Sequence, residues 1–323
     1  SASEDAAAAS WTEGTKQVLA ILVDFPDVTG PPQNWGGTVF DAAYITNRIN
    51  NEVHYFYDEA SYGKTGLTMG LSDVTPVLRM PKNAQVYAEA GDNGGLRTDA
   101  TTLAENAGYD FDNYDRVFLV FSPLGTNRFP ASKINYGGLG QINNKFMWMN
   151  GGFGLGLAAH ELGHTYGLPH ASRGESSNAN PVDPAGSEIE YGDVFDRMGS
   201  GSSSHPLHPG TFNPWFLNRM DWLPSSGISE VTESGTFRVY RFDHKSADLA
   251  QTRALKISRD PDRDYWIRYR RKYAGDPSKG DISSGAYVLW GSPTGRGKSH
   301  LIDIDTPGSN PNDASLNVGN SFD

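Results

Sequence analysis

Residues 160–170 read HELGHTYGLPH. On a helix, His160 and His164 stand one turn apart and project from the same face. Two imidazoles so placed can hold one zinc ion, and the adjacent Glu161 can act as general base toward a water at the metal. The same helix cannot supply a third ligand with tetrahedral geometry. Gly167 resolves this, because glycine tolerates the left-handed conformation that ends a helix. The chain can then reverse through Leu168 and Pro169 and bring His170 to the metal. Three protein ligands leave a fourth position for water, the arrangement of a catalytic zinc site rather than a structural one. H-E-x-x-H alone arises by chance in roughly 1 in 100 chains of this composition, and adding the glycine and third histidine lowers this to roughly 1 in 100,000. An ordinary polar helix with surface histidines is therefore the weaker reading.

The elements that must position these residues follow from apolar spacing. Residues 17–23 (QVLAILV) and 116–121 (RVFLVF) read as buried strands. Residues 41–59 and 96–107 carry helical spacing, and 67–77 alternates as a strand or bent strand pair. Residues 136–141 are glycine-rich, 145–150 form a short strand, and a helix running from 151–156 to near Tyr166 bears the motif. This alternation predicts an α/β (α+β) layer with a mixed, twisted sheet. The Gly152 and Gly154 pair does not mark a nucleotide site, because no βαβ context with a following acid supports it. Residues 172–201 read as a polar loop region and 212–222 as a helix. Beyond about 229 the texture changes. Residues 236–242, 253–258, 265–273, 285–290 and 300–304 are short strand-like runs between turns, which predicts a smaller all-β appendage. The expected division is a flexible leader over 1–14, a catalytic domain over 15–225 and a β-rich module over 226–323.

HExxHxxGxxH is the zinc signature of the metzincin metallopeptidases, and this chain resembles them. That clan has a tight turn with Met beneath the zinc ligands, and residues 193–200, DVFDRMGS, match it with Met198. The pairing of HELGHTYGLPHA with EYGDVFDRMG looks most like gametolysin-type metallopeptidases and their bacterial relatives. VLAILVDFPD at 18–27 and YDEASYGKTGL at 57–67 carry weaker similarity. The resemblance implies a secreted zinc endopeptidase with His160, His164 and His170 as ligands and Glu161 as base. It also implies an extended polypeptide substrate along the edge strand at 136–141, from an extracellular or cell-wall protein. Met198 would pack under the imidazoles without ligating. Two departures stand out: residue 171 is Ala where some metzincins have an acid, and residue 200 is Ser where others carry an extra tyrosine ligand.

The 323 residues include no cysteine, so disulfides and thiolate metal sites are excluded and any metal must use His and carboxylates. A net charge of −11 gives no basic face for nucleic acid. No apolar run approaches the roughly 18 residues of a membrane span, and residues 1–10, SASEDAAAAS, lack the features of a signal peptide. The protein is expected to be a monomer. Asp183, Glu188, Glu190, Asp193 and Asp196 admit three readings: a calcium site, carboxylates bonding a ligand imidazole or the turn, or a solvated loop. Asp193 or Asp196 is the favoured residue for bonding a ligand imidazole or stabilising the turn. His205 and His208, in SHPLHPG, either line the cleft or are plain loop residues. Asp303, Asp305 and Asp313 are calcium ligands or acidic turns. Two rival functions stay open: a zinc hydrolase of a non-peptide bond, and an adhesin or matrix-binding protein with a vestigial protease domain. The intact Glu161 and histidines argue against the second.

Overall fold

The computed structural model describes residues 10–182, 186–201, 211–270, 285–295, 297–304 and 310–321. His205, His208, Asp183 and Asp305 lie outside them, as do residues 1–9. The fold is mixed α/β, with two mixed sheets and few helices, as the alternation predicts. Two compact units are present. The first comprises Gly14–Tyr55 and Gly66–Gly167; the second comprises residues 10–13, Phe56–Thr65 and the described residues from Leu168 onward.

The chain begins with β1 (Gly14–Asp24) and α1 (Ala42–Asn47), which runs through a π-helical stretch, Arg48–Val53, into α2 (His54–Ala60). β2 (Thr65–Thr68), β3 (Leu78–Arg79), α3 (Ala84–Ala90), α4 (Asn93–Asn106) and β4 (Arg116–Phe121) follow. β5 (Gly138–Gly140), β6 (Phe146–Asn150) and α5 (Leu155–Thr165) complete this part. The sheet order is β2-β1-β4-β6-β5, with β3 also paired to β1. β1, β4 and β6 are parallel neighbours, while β5 runs antiparallel to β6 at the edge. β4 is buried along its whole length, which is why it reads as an apolar run from Val117 to Phe121 after Arg116. Leu19, Ile21, Val117, Leu119 and Trp148 from the sheet pack with Leu96, Ala100 and Ala104 of α4. One expectation changes here. Residues 67–77 do not form a strand throughout, because β2 ends at Thr68 and a 3-10 turn, Leu71–Asp73, precedes β3.

The second unit holds β7 (Ala171–Glu175), β8 (Ser187–Ile189), α6 (Pro214–Arg219), β9 (Ile228–Glu230) and β10 (Ala254–Asp260). β11 (Arg263–Tyr269), β12 (Ala286–Gly291), β13 (Ser299–Ile302) and β14 (Ser315–Leu316) follow. The sheet order is β8-β7-β13-β12-β11-β10-β9, with β14 on β12. The region expected as a polar loop over 172–201 thus contains two strands. β7 pairs in parallel with β13, from Ser299 opposite Ala171 to Ile302 opposite Gly174. The tail strands therefore share a sheet with residues that precede 225, and the compact units divide after Gly167. The expected strand at 236–242 is absent. Its Thr, Phe, Val and Tyr residues have β-propensity, yet among the described residues the segment joins no strand ladder, and Tyr240 N bonds Thr252 O at 2.8 Å.

Candidate metal centre

α5 is buried along most of its length, through residues including Ala158, Ala159 and Leu162, and carries His160, Glu161 and His164. The His160 and His164 rings sit 4.9 Å apart between centroids, at 85°. The helix ends as the sequence predicts. Gly167 has φ +101°, and its N–H donates to the His164 carbonyl at 2.8 Å. The same carbonyl accepts the Asn143 N–H at 3.2 Å. A side chain at 167 would be strained by that φ, and its Cβ would overlap the Asn143 amide oxygen. Beyond this turn, candidate ligand atoms of His160, His164 and His170 all lie within 4.8 Å of one another. Among the described residues, no other cluster of three His, Cys, Asp or Glu side chains is spaced to hold a metal ion. Neutral imidazole nitrogens are donors that suit zinc, so the residues fit the expected ion.

Glu161 is buried, at 5% relative exposure, and burial pushes its carboxyl up to about 7. The Gly140 amide opposes this shift by donating to the carboxylate. The register explains why that amide is there. Gly137 O accepts from Asn150 N and Gln141 N donates to Phe146 O, so 137, 139 and 141 face β6. Gly138 and Gly140 then turn their polar groups to the outer edge. Their lack of side chains is required. A Cβ on Gly138 would lie 2.6 Å from Glu161 Oε1, and one on Gly140 would strike the Glu161 carbonyl and stand 2.9 Å from His164 Cβ. The glycine-rich stretch therefore lets an edge strand lie against the helix that carries the candidate base.

His170 is held from its own side. It donates through Nδ1 to Glu190 Oε1 at 2.8 Å, which leaves Nε2 as the candidate ligand nitrogen. The bond from His170 is the largest influence holding the Glu190 carboxyl below its ordinary range, and Lys298 adds to it. Tyr191 stacks on the His170 ring with centroids 3.8 Å apart, from a backbone with φ +61°. That conformation is uncommon for a bulky residue. Sequence reasoning did not single out Tyr191; it named Glu190 among the acids that could bond a ligand imidazole, and favoured Asp193 or Asp196 for bonding an imidazole or stabilising the turn. The β7–β8 hairpin selects Glu190 for the imidazole. Arg173 opposes Ile189 in that ladder, so continuing the register returns residues 190 and 191 to the start of β7, beside His170.

Asp193 and Asp196 stabilise the turn that holds Met198, one of the two roles expected of them. Asp196 accepts from Met198 N at 2.7 Å and from Asn213 N. Asp193 accepts from Phe195 N at 2.9 Å and pairs with buried Arg268 at 3.1 Å. Met198 is fully buried, and its carbonyl accepts the Ala171 amide at 2.9 Å, one residue past His170. Among the described residues the candidate acids form no cluster of three spaced to hold a cation, so the calcium reading gains no support. Glu188 bonds Lys298 at 2.8 Å and Ser172 at 2.9 Å, Asp303 faces Arg173 at 3.8 Å, and Asp313 accepts from Asn310 at 2.8 Å.

No protein-family model matches the sequence, and no curated protein matches it. Among solved structures, the chain is similar to wild type OgpA from Akkermansia muciniphila in two crystal forms. In one, the identity is 15% and the TM-score 0.33, over 91% of this chain and 84% of that one. In the other, they are 13% and 0.32, over 89% and 91%. A catalytic inactive OgpA in complex with an O-glycopeptide (glycodrosocin) substrate matches at 14% identity and TM-score 0.31, over 91% and 84%. Likeness this distant carries no functional inference.

Proposed function

We propose that this chain is a secreted zinc endopeptidase of metzincin type, acting on extended segments of extracellular or cell-wall proteins. The observation that carries the reading is the convergence of His160, His164 and His170 next to a buried Glu161. When bound there, zinc would supply a Lewis acid that acidifies water and polarises a carbonyl. Glu161 takes the proton of the attacking water on its carboxylate and returns it to the departing amine, as a general base and then a general acid. Burial favours such an exchange, because it places the carboxyl near neutrality before any metal charge acts. The outward polar groups of Gly138 offer an extended peptide backbone hydrogen bonds along the edge of β5. Glu190 fixes the His170 ring, and Met198 supports the turn beneath as a buried methionine without ligating. A peptide substrate is preferred over a non-peptide ester or amide because the edge strand adds pairing that only a polypeptide backbone can use. The test is Glu161→Gln, which keeps all three imidazoles and removes the proton acceptor. It should bind stoichiometric zinc and lose casein hydrolysis by at least about 100-fold. Near-normal turnover in the metal-replete variant would overturn the assignment. A parent that binds zinc yet cleaves only non-peptide esters would favour the rival hydrolase.

A further inference from the structure

The second unit contains a cavity of about 250 Å³ between α6 and the β9–β11 side of its sheet, lined by Trp215, Arg219, Glu230, Lys256, Asp264 and Trp266 among others. The sheet register places Glu230, Lys256 and Trp266 side by side on three adjacent strands. Asp264 and Trp266 are two residues apart on β11 and share its buried face. Both are almost wholly buried, at 2% and 3% exposure, yet Asp264 Oδ2 and Trp266 Nε1 have no hydrogen-bond partner. Lys256 Nζ makes a long ion pair with Asp264 Oδ2 at 3.5 Å and a closer bond to Glu230 Oε1 at 2.9 Å, which leaves Asp264 Oδ2 with a charge partner but no close hydrogen bond. Leaving a buried donor and a buried acceptor unmet is costly, so two such atoms in one cavity need an explanation.

The lining chemistry narrows what could meet them. Arg219 and Lys256 are offset by Glu230 and Asp264, so neither a phosphate nor a bare ammonium is favoured by net charge. A purely apolar guest would leave both polar atoms unmet. An indole N–H and a carboxylate oxygen lining one cavity match a guest that both accepts and donates, as a hydroxyl does. A second indole, Trp215, also lines the cavity and is fixed in place. The Trp215 Nε1–H donates to the Ser292 carbonyl at 3.1 Å, and a Cβ on Gly291 would stand 2.6 Å from its ring. Arg219 lies over the same indole, 5.8 Å from its centroid. Indoles present apolar surface to the C–H face of a sugar ring while polar groups take its hydroxyls.

We propose that this cavity is a binding site for one neutral pyranose unit, with Asp264 accepting from, and Trp266 donating to, a ring hydroxyl. The site belongs to the second unit alone and does not depend on the metal-centre reading. The test is saturation-transfer NMR and calorimetry on the intact protein. The probes are neutral hexoses and N-acetylhexosamines, both as free sugars and as methyl glycosides; the charged controls are glucuronate, glucosamine and lysine methyl ester. At least one neutral probe should bind, through ring protons, and more tightly than its charged counterparts. Preference for a methyl glycoside would identify a chain-linked sugar, and preference for the free form a soluble one. Asp264→Asn and Trp266→Phe should each weaken binding at least about 10-fold. The parent NMR result stands without variants if either fails to fold. Absence of neutral-sugar binding at tens of millimolar, tighter binding of a charged control, or unchanged affinity in both folded variants would each overturn the proposal.

Discussion

Gly167→Ala is the sharpest perturbation of the metal centre that touches no ligand. Alanine at φ +101° is strained by about 1–3 kcal/mol. Its Cβ would also overlap the Asn143 amide oxygen, and overpacking of this kind costs about 1–3 kcal/mol unless the neighbour swings away. The two costs can be separated. Asn143→Gly removes the obstructing side chain, keeps the backbone N–H that donates to the His164 carbonyl, and suits the φ of +54° at that position. The single alanine variant should lose about 2–6 kcal/mol in urea unfolding, and the double variant should recover the overlap share, roughly half. Zinc should report the same strain. If the metal-free turn relaxes, binding must restore it, so each 1.4 kcal/mol weakens zinc about tenfold in a competitive chelator titration. Asn at 167 is a poor control, because it introduces the same Cβ as Ala. A Gly167→Ala protein that melts and binds zinc as the parent does would refute this account of how His170 is delivered. A cycle with no coupling between the two positions would refute the steric part alone.

Glu190→Gln keeps the shape of the side chain but turns a carboxylate acceptor on His170 into a neutral amide. Zinc affinity should fall about 10- to 100-fold with little change in melting, read by chelator competition; equal affinity would show that Glu190 does not orient the ring. The metal-free protein should show a pH signature of Glu161, whose carboxyl is raised from the ordinary 4.5 to about 7 by burial. The folded state then binds that proton more tightly than the unfolded chain, so the group's cost is absent below about pH 4.5 and fully present above about pH 7. In chelator, Glu161→Gln should match the parent near pH 4.5 and become more stable than it by up to about 3 kcal/mol at pH 8. Parallel stability curves for the two proteins would show that burial does not perturb this carboxyl.

The parts of the centre that depend on neighbouring residues were legible in the sequence. His160, Glu161 and His164 follow from the helical period, and Gly167 from the need to end that helix and turn back, because both are local properties of a few peptide units. The buried strands β1 and β4 were legible for a similar reason: a strand covered on both faces must be apolar throughout. What the sequence could not decide depends on pairing between distant segments. Glu190 and Tyr191 reach His170 only because β7 and β8 form a hairpin in one register, and a shift of one residue would turn both side chains to the other face. Asp193 spends its charge on Arg268, 75 residues away. The Gly140 amide reaches Glu161 because β5 pairs with β6 in a register that sends alternate polar groups outward. The sheet that unites β7 with β13 was likewise hidden, since no local pattern announces which strand a strand will join. Composition and period establish what each segment can form, while register and topology, settled by the packing of the whole chain, decide which side chains meet.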